Sequence, residues 1–131
     1  MKTIKIIIEK SSDSYGAYAE NVNGIYGAGD SADECKQSIL DAIETIKTLD
    51  ASQIPAELKG DYEIIYKFDS ESFLSYYKGI FTNAALEKMT GINRKQIQHY
   101  ASGHRKPKEV TIKKFETALH TLGKELLAVE L

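Results

Sequence analysis

The chain has 131 residues, of which 42% are hydrophobic and 27% charged, a composition typical of a globular protein with one or two small domains. The apolar run near the start, Ile6 to Ile8, is far too short for a signal peptide core or a membrane span, so we expect a cytoplasmic protein with no membrane contact. Cys35 is the only cysteine, which rules out an internal disulfide, and no clustered ligands indicate a metal site.

The net charge of -2 is unevenly distributed. Residues 1 to 70 hold seven Lys and thirteen Asp or Glu, a net charge of -6, whereas residues 71 to 131 hold ten basic and six acidic residues, a net charge of +4. Opposite charges indicate that the two halves face different partners. We therefore predict two domains, 1–70 and 71–131.

Three strands are predicted first. The β-branched run Lys2 to Lys10 predicts a central strand, and tyrosines separated by small residues predict a second strand over Tyr15 to Asn21. A third strand is expected over Ile25 to Ala28, after an Asn-Gly turn. Gly27 and Gly29 leave the backbone free to bend at that point.

A helix and a fourth strand complete the first half. Ser31 and Glu34 form a capping box, and an apolar stripe at helical spacing predicts a helix over Ala32 to Leu49. After a loop, β-branched and aromatic residues predict a strand over Tyr62 to Phe68. The first half is thus predicted to follow the order β-β-β-α-β.

The second half is predicted to be helical. It is expected to begin with a short helix that Ser70 or Ser72 caps and Gly79 stops. After Pro107, apolar residues at three and four spacing predict a final helix that ends at Gly123. Between these two helices lies the stretch with the clearest functional pattern.

That stretch, Phe81 to Pro107, is a candidate helix-turn-helix. Thr82 and Asn93 are suited to cap two short helices, and Gly91 permits the positive φ with which a helix commonly ends. The spacing of the second helix buries its aliphatic side and turns a face of hydrogen-bond donors outward: Arg94, Lys95, Gln98 and His99.

This chemistry suits DNA. Arg binds guanine in bidentate fashion and Gln binds adenine, and the early residues of the second helix of this motif reach base edges in the major groove. A basic tail follows where phosphates would run. The alternative is an ordinary helical hairpin with a solvated polar face. The predicted DNA-contacting residues are Asn83, Asn93, Arg94, Lys95, Gln98, His99, Arg105, Lys106 and Lys108.

The stretch resembles the repressor class of helix-turn-helix proteins typified by Cro and lambda repressor, through Gly91 and the aliphatic residues Ile92 and Ile97. One position differs. The class usually has alanine four residues before that glycine, where the two helices touch. Here the residue is Glu87, and we expect its carboxylate to point sideways, away from the contact between the helices.

Over nearly the whole chain, the order of elements resembles that of HicB-type antitoxins of type II toxin-antitoxin systems. The most specific parts are YGAYAENVNGIYGAGDSADECKQSILDAI, from Tyr15 to Ile43, and HYASGHRKP, from His99 to Pro107. The resemblance implies an α+β protein with a reduced ribonuclease H-like domain and a helix-turn-helix domain. It also implies a protein that blocks a HicA-type toxin, which cleaves messenger RNA, and represses its own operon by binding operator DNA.

Two other functions stay open. One is a stand-alone transcriptional regulator whose acidic first domain senses a ligand. The other is a metal-dependent nuclease, but ribonuclease H chemistry needs a carboxylate in the middle of the first strand, and that strand offers only Glu9, at its end. No Ser, His and Asp set and no phosphate-binding glycine loop is present. We therefore expect no catalytic residue, no metal and no cofactor.

The resemblance also implies that the first domain has a surface that binds the toxin. A toxin that grips RNA presents basic surface, which an acidic domain would cover, and tyrosines supply rigid anchoring area. The opposing interpretation is that these tyrosines pack on the helix, and for Tyr18 it is at least as strong. The predicted toxin-binding residues are Tyr15, Tyr18, Glu20, Tyr26 and Asp30.

A single small DNA-binding domain contacts few base pairs, so we expect a homodimer or a dimer of dimers held together by the second domain. The aliphatic segment Glu125 to Leu131 is suited to pair with a second chain, either as a further turn of helix or as a terminal strand.

Overall fold

The computed structural model describes all residues from 1 to 131, and they divide into two compact units: Met1–Tyr76, called unit 1, and Tyr77–Leu131, called unit 2. The fold is α+β, with one four-stranded mixed sheet and five α-helices, which confirms the predicted class at this level. None of the helices combines the length and apolar character that crossing a membrane requires.

Unit 1 follows the predicted β-β-β-α-β order and adds one helix. Its elements are β1 (Lys2–Lys10), β2 (Tyr15–Ala19), β3 (Tyr26–Gly29), α1 (Ala32–Lys47), β4 (Tyr62–Phe68) and α2 (Ser70–Tyr76). Two short 3₁₀ turns, Ala51–Gln53 and Ala56–Leu58, lie in the loop before β4. The sheet order is β3-β2-β1-β4, with β1 antiparallel to β2 and parallel to β4, so β1 is internal as predicted.

The core of unit 1 lies between one face of the sheet and α1. Ile4, Ile6 and Ile8 of β1 are completely buried, as is Ile39 of α1. Side chains alternate across a strand, and Ile7 is accordingly only partly covered, on the other face. The face of the sheet turned away from α1 is called the open face below.

Gly27 and Gly29 determine how closely β3 approaches α1. A Cβ atom on Gly29 would lie 2.6 Å from the Cβ of Glu34, and one on Gly27 would lie 3.0 Å from the Cγ1 of Ile39. Neither glycine has a positive φ. Their role is therefore the absence of a side chain at a close contact, and not the freedom to bend that the sequence suggested.

The second strand is shorter than predicted, because the Asn21 side chain takes the place of backbone hydrogen bonds to β1 at its end. β2 ends at Ala19, and the Asn21 amide then donates to the carbonyl of Thr3 at 2.7 Å and accepts from the N–H of Lys5 at 3.0 Å. Asn21 thus continues the pairing with β1 through its side chain, while its backbone turns away.

Both ends of α1 differ slightly from the prediction. Ser31 Oγ accepts from the N–H of Glu34 at 3.1 Å as a capping box requires, but the Glu34 carboxylate accepts from the N–H of Asp30, at 2.7 Å, instead of that of Ser31. The helix ends at Lys47, and Leu49 beyond it is 44% exposed. The predicted extension to Leu49 lacks a buried surface to support it.

The short helix α2 belongs to unit 1. Ser70 and Ser72 lie inside it and do not cap it; the carbonyl of Asp69 accepts from the N–H of Phe73 at the start, and the helix ends at Tyr76, before Gly79. Leu74 is buried. The units therefore divide after Tyr76, whereas the sequence placed the division after Ser70.

Unit 2 contains three helices: α3 (Asn83–Thr90), α4 (Arg94–Ala101) and α5 (Glu109–Leu127). Its buried apolar residues are Leu86, Ile92, Ile97, Tyr100 and Phe115. The prediction that Gly123 stops the last helix is wrong, because α5 continues to Leu127. A single glycine costs a helix only about 1 kcal/mol. The segment from Glu125 is therefore helical through Leu127.

Candidate nucleic-acid interface

The turn between α3 and α4 is built by three local contacts that the sequence predicted. Thr82 Oγ1 accepts from the N–H of Ala85 at 3.0 Å, and Asn93 Oδ1 accepts from the N–H of Lys95 at 2.8 Å. Gly91 has a φ of +78° and donates to the carbonyl of Glu87 at 2.8 Å. The predicted caps and the predicted helix stop are confirmed.

Helix α4 has one buried side and one exposed side. Ile97 and Tyr100 are buried, and the rings of Tyr100 and Phe115 meet edge to face with centroids 6.4 Å apart. Lys95, Gln98 and His99 are exposed on the helix surface. The core contacts of α4 thus leave its polar residues available to an outside partner.

The basic tail is fixed to the end of α4 by backbone contacts. Gly103 has a φ of +76°, and the N–H of Arg105 then donates to the carbonyl of His99 at 3.1 Å. The side chains of Arg105, Lys106 and Lys108 are exposed. These cations therefore follow directly from the carboxyl end of α4.

Glu87 contacts the first residue of α4 through three hydrogen bonds. Its carboxylate accepts from the N–H of Arg94 at 2.9 Å and from the Nε and Nη2 of the same residue at 3.0 and 2.9 Å. The backbone hydrogen bond and the guanidinium of Arg94 lower the pKa of Glu87 below its ordinary value. The prediction that the Glu87 carboxylate points away from the contact between the helices is therefore wrong. Arg94 was predicted as a free donor that reads a base, but its guanidinium is bound by Glu87 within the chain.

Three other predicted DNA-contacting residues also make internal contacts. The Asn83 amide donates to the Gln98 Oε1 at 2.8 Å, which orients the Gln98 side chain and leaves its Nε2 to donate outward. Asn93 is used as a helix cap. Five exposed side chains of the predicted set make no hydrogen bond or ion pair within the chain: Lys95, His99, Arg105, Lys106 and Lys108.

Sequence reasoning missed the pairing of Glu87 with Arg94, although a signal for it was present. The two residues have opposite charge and lie seven positions apart, on either side of Gly91. A chain that reverses at Gly91 brings the last turn of α3 near the first turn of α4. An acidic residue in the one and a basic residue in the other then favour an ion pair across the turn.

The residues predicted to contact a toxin lie on both faces of the sheet in unit 1. Strand register places Tyr26, Tyr18, Ile7 and Lys67 in one row across the open face. Tyr26 is 71% exposed and Tyr18 38%. Two tyrosines of the predicted set therefore lie side by side on a surface that α1 does not cover.

Glu20 follows two residues after Tyr18, whereas Asp30 and Tyr15 lie toward the other end of the β2–β3 pair. Glu20 forms an ion pair with Lys5 at 3.2 Å, and Asp30 is exposed just after β3. Tyr15 pairs with Gly29 on the α1 side of the sheet, packs against the core, and brings its hydroxyl to 3.5 Å from Ser75 Oγ. The interpretation that a tyrosine packs on the helix side therefore applies to Tyr15 and not to Tyr18.

The two units differ strongly in charge. Unit 1 holds seven Lys and fourteen Asp or Glu, a net charge of -7, and unit 2 holds ten basic and five acidic residues, a net charge of +5. No three His, Cys, Asp or Glu side chains come together as a group that could hold a metal ion.

Comparisons of the chain with protein-family models, with curated proteins and with solved structures returned no match.

Proposed function

We propose that the chain is a HicB-type antitoxin in which unit 1 binds and neutralises a HicA-type mRNA-cleaving toxin and unit 2 represses the operon by sequence-specific DNA binding. The observation that carries this proposal is the exposed polar side of α4 with its basic tail, joined in one chain to a unit of opposite charge.

The DNA-binding part is supported by α3 and α4, two short helices joined by a turn at Gly91, which agree with a helix-turn-helix. In this motif the second helix enters the major groove, and its outward residues contact base edges. Lys95, Gln98 and His99 have this position in α4. Arg105, Lys106 and Lys108 follow as exposed cations suited to phosphates. This arrangement supplies both base-reading groups and sequence-independent electrostatic attraction.

The toxin-binding part is supported by the topology and surface of unit 1. A β-β-β-α-β order with β4 parallel to β1 agrees with a reduced ribonuclease H-like domain. An RNA-cleaving toxin must attract phosphates with basic surface, to which a unit of net charge -7 is complementary. Tyr18 and Tyr26 offer anchoring area on the open face. Inhibition would then be by occlusion of the RNA-binding surface.

Association through unit 2 is supported by exposed apolar residues near the carboxyl end of α5. Leu126 is 60% exposed and Leu127 is 90% exposed, and Val129 follows at 59%. A second copy could cover these side chains. A homodimer or dimer of dimers would place two copies of α4 on successive half-sites, about one helical turn of DNA apart.

The test is co-expression of the full chain with the product of the neighbouring gene, which the proposal expects to be a small basic protein. We expect the two proteins to co-purify, the chain to restore growth that the neighbour arrests, and the purified chain to retard DNA from upstream of its own gene. Failure of the neighbour to bind would contradict the antitoxin part, and failure to retard that DNA would contradict the repressor part.

A stand-alone regulator with a ligand-sensing first domain is favoured by one observation, an open cleft of about 340 Å³ in unit 1. Its lining includes Glu20, Asn21, Asn23 and Glu57, which suits a polar or cationic small molecule. This function would show itself as DNA binding that responds to a small molecule, in a chain that does not bind the product of the neighbouring gene.

A further inference from the structure

The strand β4 forms an edge of the sheet and pairs on one side only. It runs for seven residues without Gly or Pro, and its backbone hydrogen bonds go to β1. The side chains that β4 turns toward α1 remain half-buried, whereas Ile4, Ile6 and Ile8 of β1 are completely buried. A row of unpaired N–H and C=O groups with partly covered side chains is a template for another strand.

The sequence of β4 is complementary to itself when two copies run antiparallel. Alternation places Glu63, Ile65 and Lys67 on the open face, with opposite charges two residues to either side of Ile65. If Ile65 lies opposite Ile65 of a second copy, Glu63 of each copy lies directly opposite Lys67 of the other. On the other face, Ile64 lies opposite Tyr66 of the second copy.

We propose that β4 pairs antiparallel with β4 of a second copy of this chain, about a two-fold axis at Ile65, and joins two sheets into one of eight strands. The charges needed for this pairing are available. Lys67 makes no ion pair within its own chain, and Glu63 accepts only the Thr3 hydroxyl, at 3.3 Å. Ile65 is 47% exposed and would be covered at the axis.

The other edge of the sheet is a poorer template. β3 has only four residues, of which Gly27 and Gly29 carry no side chain that could pack on a partner. Short edges resist strand addition. Pairing through β4 would also leave Tyr18 and Tyr26, at the opposite end of the open face, uncovered. The interface is thus distinct from the proposed toxin surface and from the association proposed for unit 2.

Charge exchange in the full chain tests the register. Glu63→Lys or Lys67→Glu alone creates two like-charge pairs per interface, and the double exchange restores two opposite-charge pairs. We expect sedimentation equilibrium to show association through β4 weakened about tenfold in each single variant and restored in the double variant. High salt should reduce the loss in the single variants, since it screens exposed charges. Equal assembly in all four proteins would overturn the proposal.

Crosslinking gives an independent readout. With Ile65→Cys, the two new thiols face each other across the axis, and directly opposed residues of antiparallel strands have Cα atoms about 4.5 to 5.5 Å apart, within disulfide reach. Cys35 is completely buried and does not compete. With Glu63→Cys, two equivalent positions lie roughly 13 Å apart, which provides the control.

The expected result is rapid oxidation to a covalent dimer for Ile65→Cys, none for Glu63→Cys, and a dimer when Glu63→Cys and Lys67→Cys proteins are mixed. Slow or equal oxidation of both single variants would refute the antiparallel register. Circular dichroism melting identifies any variant that does not fold, and the charge exchange then decides the question.

Discussion

At the level of single residues, Glu87 joins α3 to α4 through hydrogen bonds and an ion pair, where a small apolar residue would join them through close packing. Its carboxylate accepts one of the N–H groups that the first turn of a helix cannot satisfy internally, and it also binds the Arg94 guanidinium. A negative charge beside the amino end of α4 is favoured by the helix dipole as well. These contacts explain how a charged residue fits a position where alanine would allow close packing.

The contact changes what we expect of Arg94. Under the proposed function, Gln98→Ala should relax sequence preference and cost about 1 to 3 kcal/mol in operator binding, because Gln98 is proposed to contact a base edge. Arg94→Ala should lower affinity for all sequences alike, because Arg94 acts through Glu87 to position α4. Binding to a set of single-base operator variants measures both effects. A change of preference at one base pair in the Arg94 variant would show instead that Arg94 reads a base.

The lowered pKa of Glu87 predicts a pH-dependent contribution to stability. The carboxylate has a lower pKa in the folded chain than its ordinary value of 4.5, so its stabilising effect is present above that value and is lost as the pH falls through the lowered pKa. Melting temperatures of wild type and Glu87→Gln should therefore differ near pH 7 and converge as the pH falls below 4.5 and through the lowered pKa. A difference that stays constant over this range would contradict the assignment.

At the scale of elements, the packing of β3 against α1 depends on side chains that are missing. Gly27 and Gly29 let the backbone of β3 approach the first turns of α1, where Glu34, Cys35 and Ile39 lie. Cys35 is completely buried at this contact, and burial raises the pKa of its thiol. The helix and the short edge strand therefore fit each other only with glycine at these positions.

A methyl group at this contact should separate the two elements. Gly29→Ala places a Cβ atom 2.6 Å from the Cβ of Glu34, whereas Gly16→Ala, in the neighbouring strand, meets nothing within 4 Å. We expect Gly29→Ala to lower the free energy of unfolding by about 1 to 3 kcal/mol through overpacking, and Gly16→Ala to have little effect. Urea denaturation followed by circular dichroism measures both. Equal stability of the two variants would argue against a close contact.

At the scale of the whole molecule, two units with net charges of -7 and +5 are joined in one chain. Charge of one sign steers partners of the opposite sign and repels the other class. The basic unit is suited to nucleic acid and the acidic unit to a basic protein. This division should make the two proposed binding activities separable by substitution.

Single substitutions should separate the two proposed activities. Tyr26→Ala removes an exposed ring from the open face and should cost about 2 kcal/mol in toxin binding if Tyr26 anchors the partner, with operator binding unchanged. Gln98→Ala should have the reverse effect. Growth rescue and gel retardation, measured on both full-length variants, check this. Loss of both activities in either variant would contradict a division of labour between the units.

Association through unit 2 should depend on the end of α5. Deleting Glu125 to Leu131 removes the exposed Leu126, Leu127 and Val129, and should weaken the oligomer because these side chains have no cover within the chain. Lys124→Ser, just before the deleted segment, is the control and should leave assembly unchanged. Light scattering that gives a monomer mass for the full-length chain at high concentration would remove this prediction.

Features that depend on neighbours along the chain could be predicted from the amino-acid sequence. Caps at Ser31, Thr82 and Asn93 and the positive φ of Gly91 follow from side-chain reach and backbone freedom over a few residues. The strands β1 and β4 and the helix α1 follow in the same way from residue type and periodicity. These local signals were sufficient for the order of elements in unit 1 and for the two helices of the candidate interface.

Features that depend on which surfaces meet could not be predicted from the sequence and required the folded structure. Tyr15 and Tyr18 have similar local sequence, but they lie on opposite faces of the sheet. Strand register and the position of α1 place Tyr15 against the core and leave Tyr18 exposed. The binding of Arg94 by Glu87 requires the angle between two helices. The exposed end of α5 likewise depends on what packs beside it, since its sequence alone was compatible with a helix or a strand. The physical reason is that burial and ion pairing depend on distances between segments, which local propensity does not encode.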